Sequence, residues 1–237
     1  YALGITALYA LGATPLAIGI GGIFFAFTVL TYAELSAAIP EAGGVCSYAR
    51  RAFNDFMAFL AGWAILLDFI VTAAISSYSI GPYLSYFFPV LKTTGGNLLF
   101  TTAIITGLFA INVIGIKEST RMSFALIVFD IATQITIIVI GLLTILNLPH
   151  LISQLRIGVS GVNWSPTPGQ FIYGVTIAMV AYTGIGAIAQ LAAEARNPGK
   201  TVPRSMITTM VSVLSLYTGI CLISLSVLHP KELSTTY

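Results

Sequence analysis

Charged residues are scarce in this sequence, and their scarcity excludes most soluble protein classes. Only 8% of its 237 residues are Asp, Glu, Lys or Arg, whereas soluble domains carry about 25%. Hydrophobic residues make up 57% of the chain, and the mean hydropathy is +0.95. The net charge is +2, and the sequence has no run of basic residues. The composition therefore does not indicate a nucleic-acid-binding protein. The chain is therefore expected to be an integral membrane protein.

Cysteines are also scarce, and so are groups of residues typical of catalytic or metal sites. The two cysteines, Cys46 and Cys221, are too few for a disulfide framework. The sequence has no nucleophile–base pair and no metal-ligand cluster, so we expect neither an enzyme nor a metal site, and no cofactor. It begins at Tyr1 in apolar sequence without a charged leader, and we interpret it as part of a longer protein.

Long apolar runs organise the rest of the chain. Runs of about 20 apolar residues are typical of membrane-spanning helices. Residues 1–33 carry no charge and are too long for one span, so we divide them near Pro15. The whole chain then forms one transmembrane domain with six complete spans. Residues 1–11 are the tail of an earlier helix, and the predicted spans are 15–39, 54–80, 97–116, 120–147, 168–195 (broken) and 203–228.

The basic residues predict the orientation of these spans. Seven lie in the loops at 40–53, 117–121 and 196–204, against three in the alternate loops (Lys92, Arg156 and Lys231). Because cytoplasmic loops carry more Lys and Arg, the first set is expected in the cytoplasm. The expected location is the cytoplasmic (plasma) membrane, crossed several times.

One predicted span contains an unusual centre, Ala181-Tyr182-Thr183-Gly184-Ile185-Gly186. Each glycine costs a helix interior about 1 kcal/mol relative to alanine. Broken helix survives at membrane depth only where it lines protein or a polar cavity. Mid-span interruption indicates a transporter binding site, because the half-helix ends expose N–H and C=O groups. The alternative is that the glycines serve close helix packing.

Acidic residues within or beside the spans are further candidates, since a membrane carboxylate must face protein or water. Asp68 is followed by Thr72 and Ser76 at helical spacing, which gives one polar face suited to a substrate or ion path. Asp130 is a candidate proton carrier or coupling-ion partner. The alternative for both is a buried acid satisfied by a neighbouring helix. Three charged residues near the cytoplasmic ends are expected to form an inner gate or interface salt bridge: Glu34, Glu194 and Arg196.

Two separated motifs resemble one known family. The first is Tyr32-Ala33-Glu34-Leu35, followed by residues 39–44 (Ile-Pro-Glu-Ala-Gly-Gly), Tyr48 and residues 58–63. The second is the broken segment that ends in residues 194–198 and 202–204. Together they resemble the amino acid permeases of the amino acid–polyamine–organocation (APC) superfamily. The resemblance implies an all-α fold of five plus five inverted repeats (LeuT-like), of which this chain would hold helices 2–7 and the tail of helix 1.

The resemblance also implies roles for individual residues. Backbone near the sixth-helix break holds the carboxylate and amino groups of the substrate in this family, and Tyr182 matches an aromatic position that covers it. Asp130 stands where some proton-coupled members have lysine, so the coupling ion is left open between H⁺ and Na⁺. The residues matched to the substrate cavity are Ala181, Tyr182, Thr183, Gly184, Ile185, Asp68, Thr72, Ala73 and Ser76.

The function implied by the resemblance is secondary active transport of amino acids by alternating access. One alternative is a polyamine or cationic amino acid exchanger, for which Asp68 would be the counter-charge. Another is a non-transporting membrane subunit or sensor of the same fold. A channel would need a continuous polar pore lined by several helices. In the family's numbering, only the third helix (predicted span 54–80) and the seventh helix (predicted span 203–228) carry a stripe of polar residues. The expected partners are a small amino acid and the lipid bilayer, and the oligomeric state is not predicted.

Overall fold

The regular structure of the chain is helical throughout the part that the structure describes. A computed structural model describes residues 2–114, 116–144, 146–159 and 163–228. Short 3₁₀ turns lie at Leu11–Ala13, Pro89–Lys92 and Ala192–Glu194. The α-helices in the described ranges are α1 (Ala2–Ala10), α2 (Thr14–Ala38), α3 (Val45–Ala52), α4 (Asp55–Leu84), α5 (Thr94–Ile114), α6 (Ile116–Thr144), α7 (Leu148–Gln154), α8 (Pro168–Val180), α9 (Ala187–Gln190) and α10 (Pro198–Val227).

Five of the described helical segments are long and apolar enough to cross a membrane. They are Leu3–Ala38, Asp55–Leu84, Thr94–Val113, Thr120–Thr144 and Pro198–Val227. The remaining predicted span, 168–195, contains α8, an apolar helix of only 13 residues, and then the interruption. Of the loop cations used to predict orientation, Lys231 lies outside the described residues.

Two helices extend past the prolines at which the sequence predicts an end or a start. α4 continues to Leu84 with Pro82 inside it, four residues beyond the predicted end of the span at residue 80. Pro82 has no N–H to donate to the carbonyl of Tyr78, four residues earlier. Asn97 of α5 replaces that donor, since its Nδ2 lies 3.4 Å from the Tyr78 carbonyl oxygen.

α10 begins at Pro198, five residues before the predicted start at Pro203. Proline suits the first helical position because its fixed φ is helical and its missing N–H would lack a partner there. Pro203 lies inside the helix. The predicted loop at 40–53 likewise contains α3.

The chain forms two compact units. One consists of Tyr1–Gly62 with Gln134–Tyr237, and the other of Trp63–Thr133. In the first unit, α2 packs against α8 and α10, and α1 packs against α8. The core cluster of this unit includes Tyr48, Tyr182, Met206 and Leu225. The second unit holds most of α4, all of α5 and the first half of α6, with the Asn97–Tyr78 contact joining α4 to α5.

Candidate functional site

The interrupted segment between α8 and α9 is the candidate site. α8 starts with a capping box, in which Thr167 Oγ1 accepts from Gln170 N at 3.3 Å and Gln170 Oε1 accepts from Thr167 N at 2.9 Å. The helix ends at Val180, and residues 181–186 form turns before the four residues of α9. Gly184 has a φ of +99°, a conformation that favours glycine.

The backbone of the break leaves several peptide groups without a partner among the described residues. The N–H groups of Ala181, Tyr182 and Thr183 donate to carbonyls of Ala178, Met179 and Val180, and regular bonding resumes with Ala187 N donating to Gly184 O at 2.9 Å. Between these bonds, three N–H groups and three carbonyls stay unpaired within the described chain. They are the N–H groups of Gly184, Ile185 and Gly186 and the carbonyls of Ala181, Tyr182 and Thr183.

The two glycines of the break differ in what they contribute. A Cβ added at Gly184 would meet no atom within 4 Å, so its role is conformational and not close packing. At Gly186 the nearest atom would be Tyr32 Cε1 at 3.4 Å, an ordinary van der Waals contact. The packing alternative considered from the sequence therefore does not account for Gly184.

Tyr182 anchors the break to α2. Its side chain is 1% exposed, and its hydroxyl donates to the carbonyl of Ile18 at 3.0 Å. Its ring lies between Phe25 and Tyr217, with centroid distances of 6.2 Å and 5.7 Å. Gly22 provides the space, because a Cβ there would lie 2.8 Å from Cζ and Oη of Tyr182.

A cavity of about 290 Å³ adjoins the break. Its walls come from α1, α2, α6 and α10 and from the first residue of the turn. Thr6, Gln134 and Tyr217 supply its polar side chains, none of them charged. The lining residues are Leu3, Thr6, Ile18, Gln134, Ala181, Tyr217 and Ile220.

The other predicted substrate residues lie in the second compact unit. Asp68, Thr72, Ala73 and Ser76 are exposed positions of α4. Their helical spacing places Asp68, Thr72 and Ser76 on one face. Asp130 is an exposed position of α6 in the same unit. The structure buries Tyr182 and Ile185 in the core of the first unit, leaves Ala181 half-buried and leaves Thr183 and Gly184 exposed. It places Asp68 and Asp130 in the second unit.

The predicted inner-gate residues are exposed, and the ion pairs lie elsewhere. Glu34, Glu194 and Arg196 are all exposed, and within the described chain no ion pair joins Glu194 to Arg196. The loop after α2 instead holds two pairs that the sequence reasoning missed. Arg50 Nε lies 2.9 Å from Asp55 Oδ1, and Arg51 pairs with Glu41.

This loop also contacts α9, the short helix that follows the break. A Cβ at Gly44 would lie 3.2 Å from the Cβ of Ala189 in α9. Tyr48 of α3 belongs to the same core cluster as Tyr182, and its ring meets that of Tyr32 edge-on at 6.4 Å. Burial, with a smaller contribution from Tyr32, raises the pKa of the Tyr48 hydroxyl. The sequence motif that contains Gly44 and Tyr48 drew attention to this loop through the family resemblance. It did not predict the contact between the loop and α9.

The absence of a metal site stays a prediction from the sequence. Within the described ranges, no group of three or more His, Cys, Asp or Glu side chains is placed to hold an ion.

A second cavity, of about 560 Å³, lies along the start of α10. It is lined by Asn197, Lys200, Thr201, Arg204, Ser205, Thr208 and Thr209.

Apolar helices of spanning length, together with a helix that is interrupted at residues 181–186, fit an all-helical integral membrane protein. The chain belongs to the amino acid permease family, whose model matches residues 2–236. The family resemblance of the two sequence motifs is thereby confirmed.

The chain is also similar to several named transporters. The branched-chain amino acid permease of Lactococcus lactis is 29% identical over 86% of this chain and 46% of its own length. The chloroplastic cationic amino acid transporter 9 of Arabidopsis thaliana is 29% identical over 86% of this chain and 37% of its own. The methylthioribose transporter of Bacillus subtilis is 28% identical over 86% of this chain and 45% of its own. The chain thus spans less than half the length of these relatives.

Proposed function

We propose that the protein is a secondary active transporter that moves amino acids across a membrane by alternating access. The observation that carries the proposal is the break at 181–186, with three unpaired N–H groups and three unpaired carbonyls inside a member of the amino acid permease family. The names of the relatives from Lactococcus lactis and Arabidopsis thaliana support amino acids as the cargo.

The unpaired groups match the two charges of a zwitterion. Consecutive N–H donors stabilise an anion, since charge-assisted hydrogen bonds are the stronger class. In this proposal the N–H groups of Gly184, Ile185 and Gly186 bind the substrate carboxylate. The carbonyls of Ala181, Tyr182 and Thr183, which follow the C-terminal end of α8, bind the ammonium, because a helix C-terminus carries about −0.5 charge.

The acidic candidates keep their proposed roles. Asp68 with Thr72, Ala73 and Ser76 would contribute a polar face to the substrate path, and Asp130 would couple transport to H⁺ or Na⁺. Glu34, Glu194 and Arg196 would act at an inner gate. The five-plus-five inverted repeat and the plasma membrane location belong to the same proposal.

Uptake by the full-length protein in proteoliposomes tests it. We expect labelled amino acid to accumulate when a proton or a sodium gradient is imposed, and the gradient that supports accumulation identifies the coupling ion. A non-transporting subunit or sensor of this fold would show binding without accumulation. A cationic amino acid exchanger, which the name of the Arabidopsis relative favours as second candidate, would take up labelled lysine only against internal substrate.

Tyr182 gives a variant test of the break. Tyr182→Phe keeps the buried ring and removes the hydrogen bond to the Ile18 carbonyl, a contribution of about 1 kcal/mol. We expect lower maximal uptake and a lower apparent melting temperature, with membrane insertion retained. Tyr182→Ala would also leave a cavity in the core at a cost of about 3–5 kcal/mol. Its effect on uptake would therefore be harder to separate from its effect on stability.

The control for this variant is another tyrosine hydroxyl. Tyr173→Phe alters an α8 tyrosine that is 52% exposed, and we expect uptake to be unchanged. If Tyr182→Phe transports and melts as the parent does, the hydroxyl does not anchor the break.

A further inference from the structure

The cavity along the start of α10 has a positively charged lining. Its charged side chains are those of Lys200 and Arg204, and no acidic side chain is among the described residues that line it. Neither cation forms an ion pair within the described chain, since both ion pairs found there belong to the loop after α2. The cavity therefore presents two positive charges that the described residues leave without a counter-charge.

The hydroxyl groups of this cavity have no hydrogen-bond partner among the described residues. Other helical hydroxyls in the chain donate to the carbonyl four residues earlier, as Ser215 of α10 does to Val211 at 2.8 Å. Thr31 of α2 and Thr144 of α6 do the same, a common arrangement for these side chains in helices. The hydroxyls that line the cavity instead stay available to a ligand, and they belong to Thr201, Ser205, Thr208 and Thr209.

The cavity lies at the end of a helix that is long enough to cross a whole bilayer. α10 has 30 residues, which correspond to about 45 Å at 1.5 Å per residue. A bilayer measures about 40–45 Å with its headgroup layers, and its hydrocarbon core measures about 30 Å. Lys200 and Arg204 lie in the first two turns of α10. We therefore expect both side chains at the depth of the lipid phosphates.

We infer that this cavity binds the headgroup of an anionic phospholipid. The lipid phosphate accepts hydrogen bonds from the guanidinium of Arg204, whose paired N–H donors match two phosphate oxygens, and from Nζ of Lys200. The free hydroxyls and the side chain of Asn197 bind the remaining polar atoms of the headgroup. A phosphatidylcholine headgroup would bring a quaternary ammonium to the same two cations, so the site favours a lipid of net negative charge. This inference does not depend on which substrate the protein transports.

Thermal unfolding of the full-length protein in detergent, with phosphatidylglycerol or phosphatidylcholine added, tests the site. We expect phosphatidylglycerol to raise the apparent melting temperature more than phosphatidylcholine does. Each basic residue near a membrane surface contributes about a fivefold gain in affinity for anionic lipid. The double variant Lys200→Gln with Arg204→Gln should therefore need about 25-fold more phosphatidylglycerol for the same shift. Equal shifts by the two lipids in the parent, or an unchanged titration in the double variant, would overturn the inference.

The matched control removes one lysine and one arginine elsewhere. Lys92 and Arg156 are also exposed, and they lie outside the cavity. We expect the double variant Lys92→Gln with Arg156→Gln to respond to phosphatidylglycerol as the parent does. The same loss of response in both double variants would show that net charge, and not the cavity, determines the lipid preference, and it would overturn the inference.

Two further measurements use the parent protein. Inorganic phosphate at matched ionic strength should leave the melting temperature unchanged, and a shift as large as that with phosphatidylglycerol would assign the cavity to a soluble anion and overturn the lipid assignment. If the Lys200→Gln, Arg204→Gln variant does not fold, salt dependence takes its place. At about 1 M salt the Debye length is about 3 Å, so the preference of the parent for phosphatidylglycerol should be lost. A preference that persists at this salt concentration would overturn the inference.

Discussion

Gly184→Ala is expected to reduce uptake at least about tenfold while the protein still inserts into the membrane. The φ of +99° at Gly184 is strained for any residue with a Cβ, at a cost of about 1–3 kcal/mol. Relief of that strain would rotate the neighbouring peptide planes, and the N–H groups of Gly184 and Ile185 would no longer point as they do in the turn. Initial uptake rates at matched surface expression measure the effect.

Gly107→Ala is the matched control for this prediction. Gly107 lies inside α5, and an added Cβ there also meets no atom within 4 Å. Both substitutions therefore add one methyl group to open space, and only Gly184 has the positive φ. Equal uptake by the two variants would show that the turn tolerates a side chain and that its geometry is not needed for transport.

Gly22→Ala is expected to lower both the apparent melting temperature and uptake. Its Cβ would overlap the Cδ1 of Leu214 and lie 2.8 Å from Cζ and Oη of Tyr182. Leu214 can move, but the Tyr182 ring is held by its hydrogen bond to Ile18 and by Phe25. Overpacking of this kind costs about 1–3 kcal/mol, and here it would push the break away from α2. Thermal unfolding in detergent and uptake in proteoliposomes measure the two effects.

Gly19→Ala, on the same helix, separates overpacking from a general effect of alanine in α2. A Cβ at Gly19 would meet no atom within 4 Å, and alanine favours helix over glycine by about 1 kcal/mol. We expect this variant to be as stable as the parent or more so. Loss of uptake by Gly19→Ala as large as that by Gly22→Ala would contradict the role assigned to the Tyr182 contact.

Local sequence patterns predicted much of the helical layout. Apolar runs bounded by proline or charge gave helix positions close to those of α2 and α5, because hydrophobic length and turn chemistry are local properties. The two glycines at 184 and 186 likewise lie at the place where α8 has ended. Prediction was poorest at Pro82 and Pro203, where the helix continues. In α4, Asn97 on the next helix supplies the missing donor, which no local pattern reveals.

The contacts of the candidate site were beyond the reach of sequence reasoning. Tyr182 and Ile18 are separated by 164 positions, and nothing in either segment indicates that one side chain binds the other backbone. The same holds for Gly22, whose lack of a side chain matters only because Tyr182 and Leu214 approach it. Family resemblance assigned Tyr182 a role over the substrate, whereas its observed contacts are with α2 and α10.

The contact of Gly44 with α9 gives the break a mechanical link to the loop after α2. Gly44 abuts Ala189, and α3 begins at the next residue, Val45. If the protein transports as proposed, any displacement of α9 would have to be followed by α3 or would open a gap between them. A fluorescent label on an exposed residue of α3 would then report the displacement of α9 without altering the break itself.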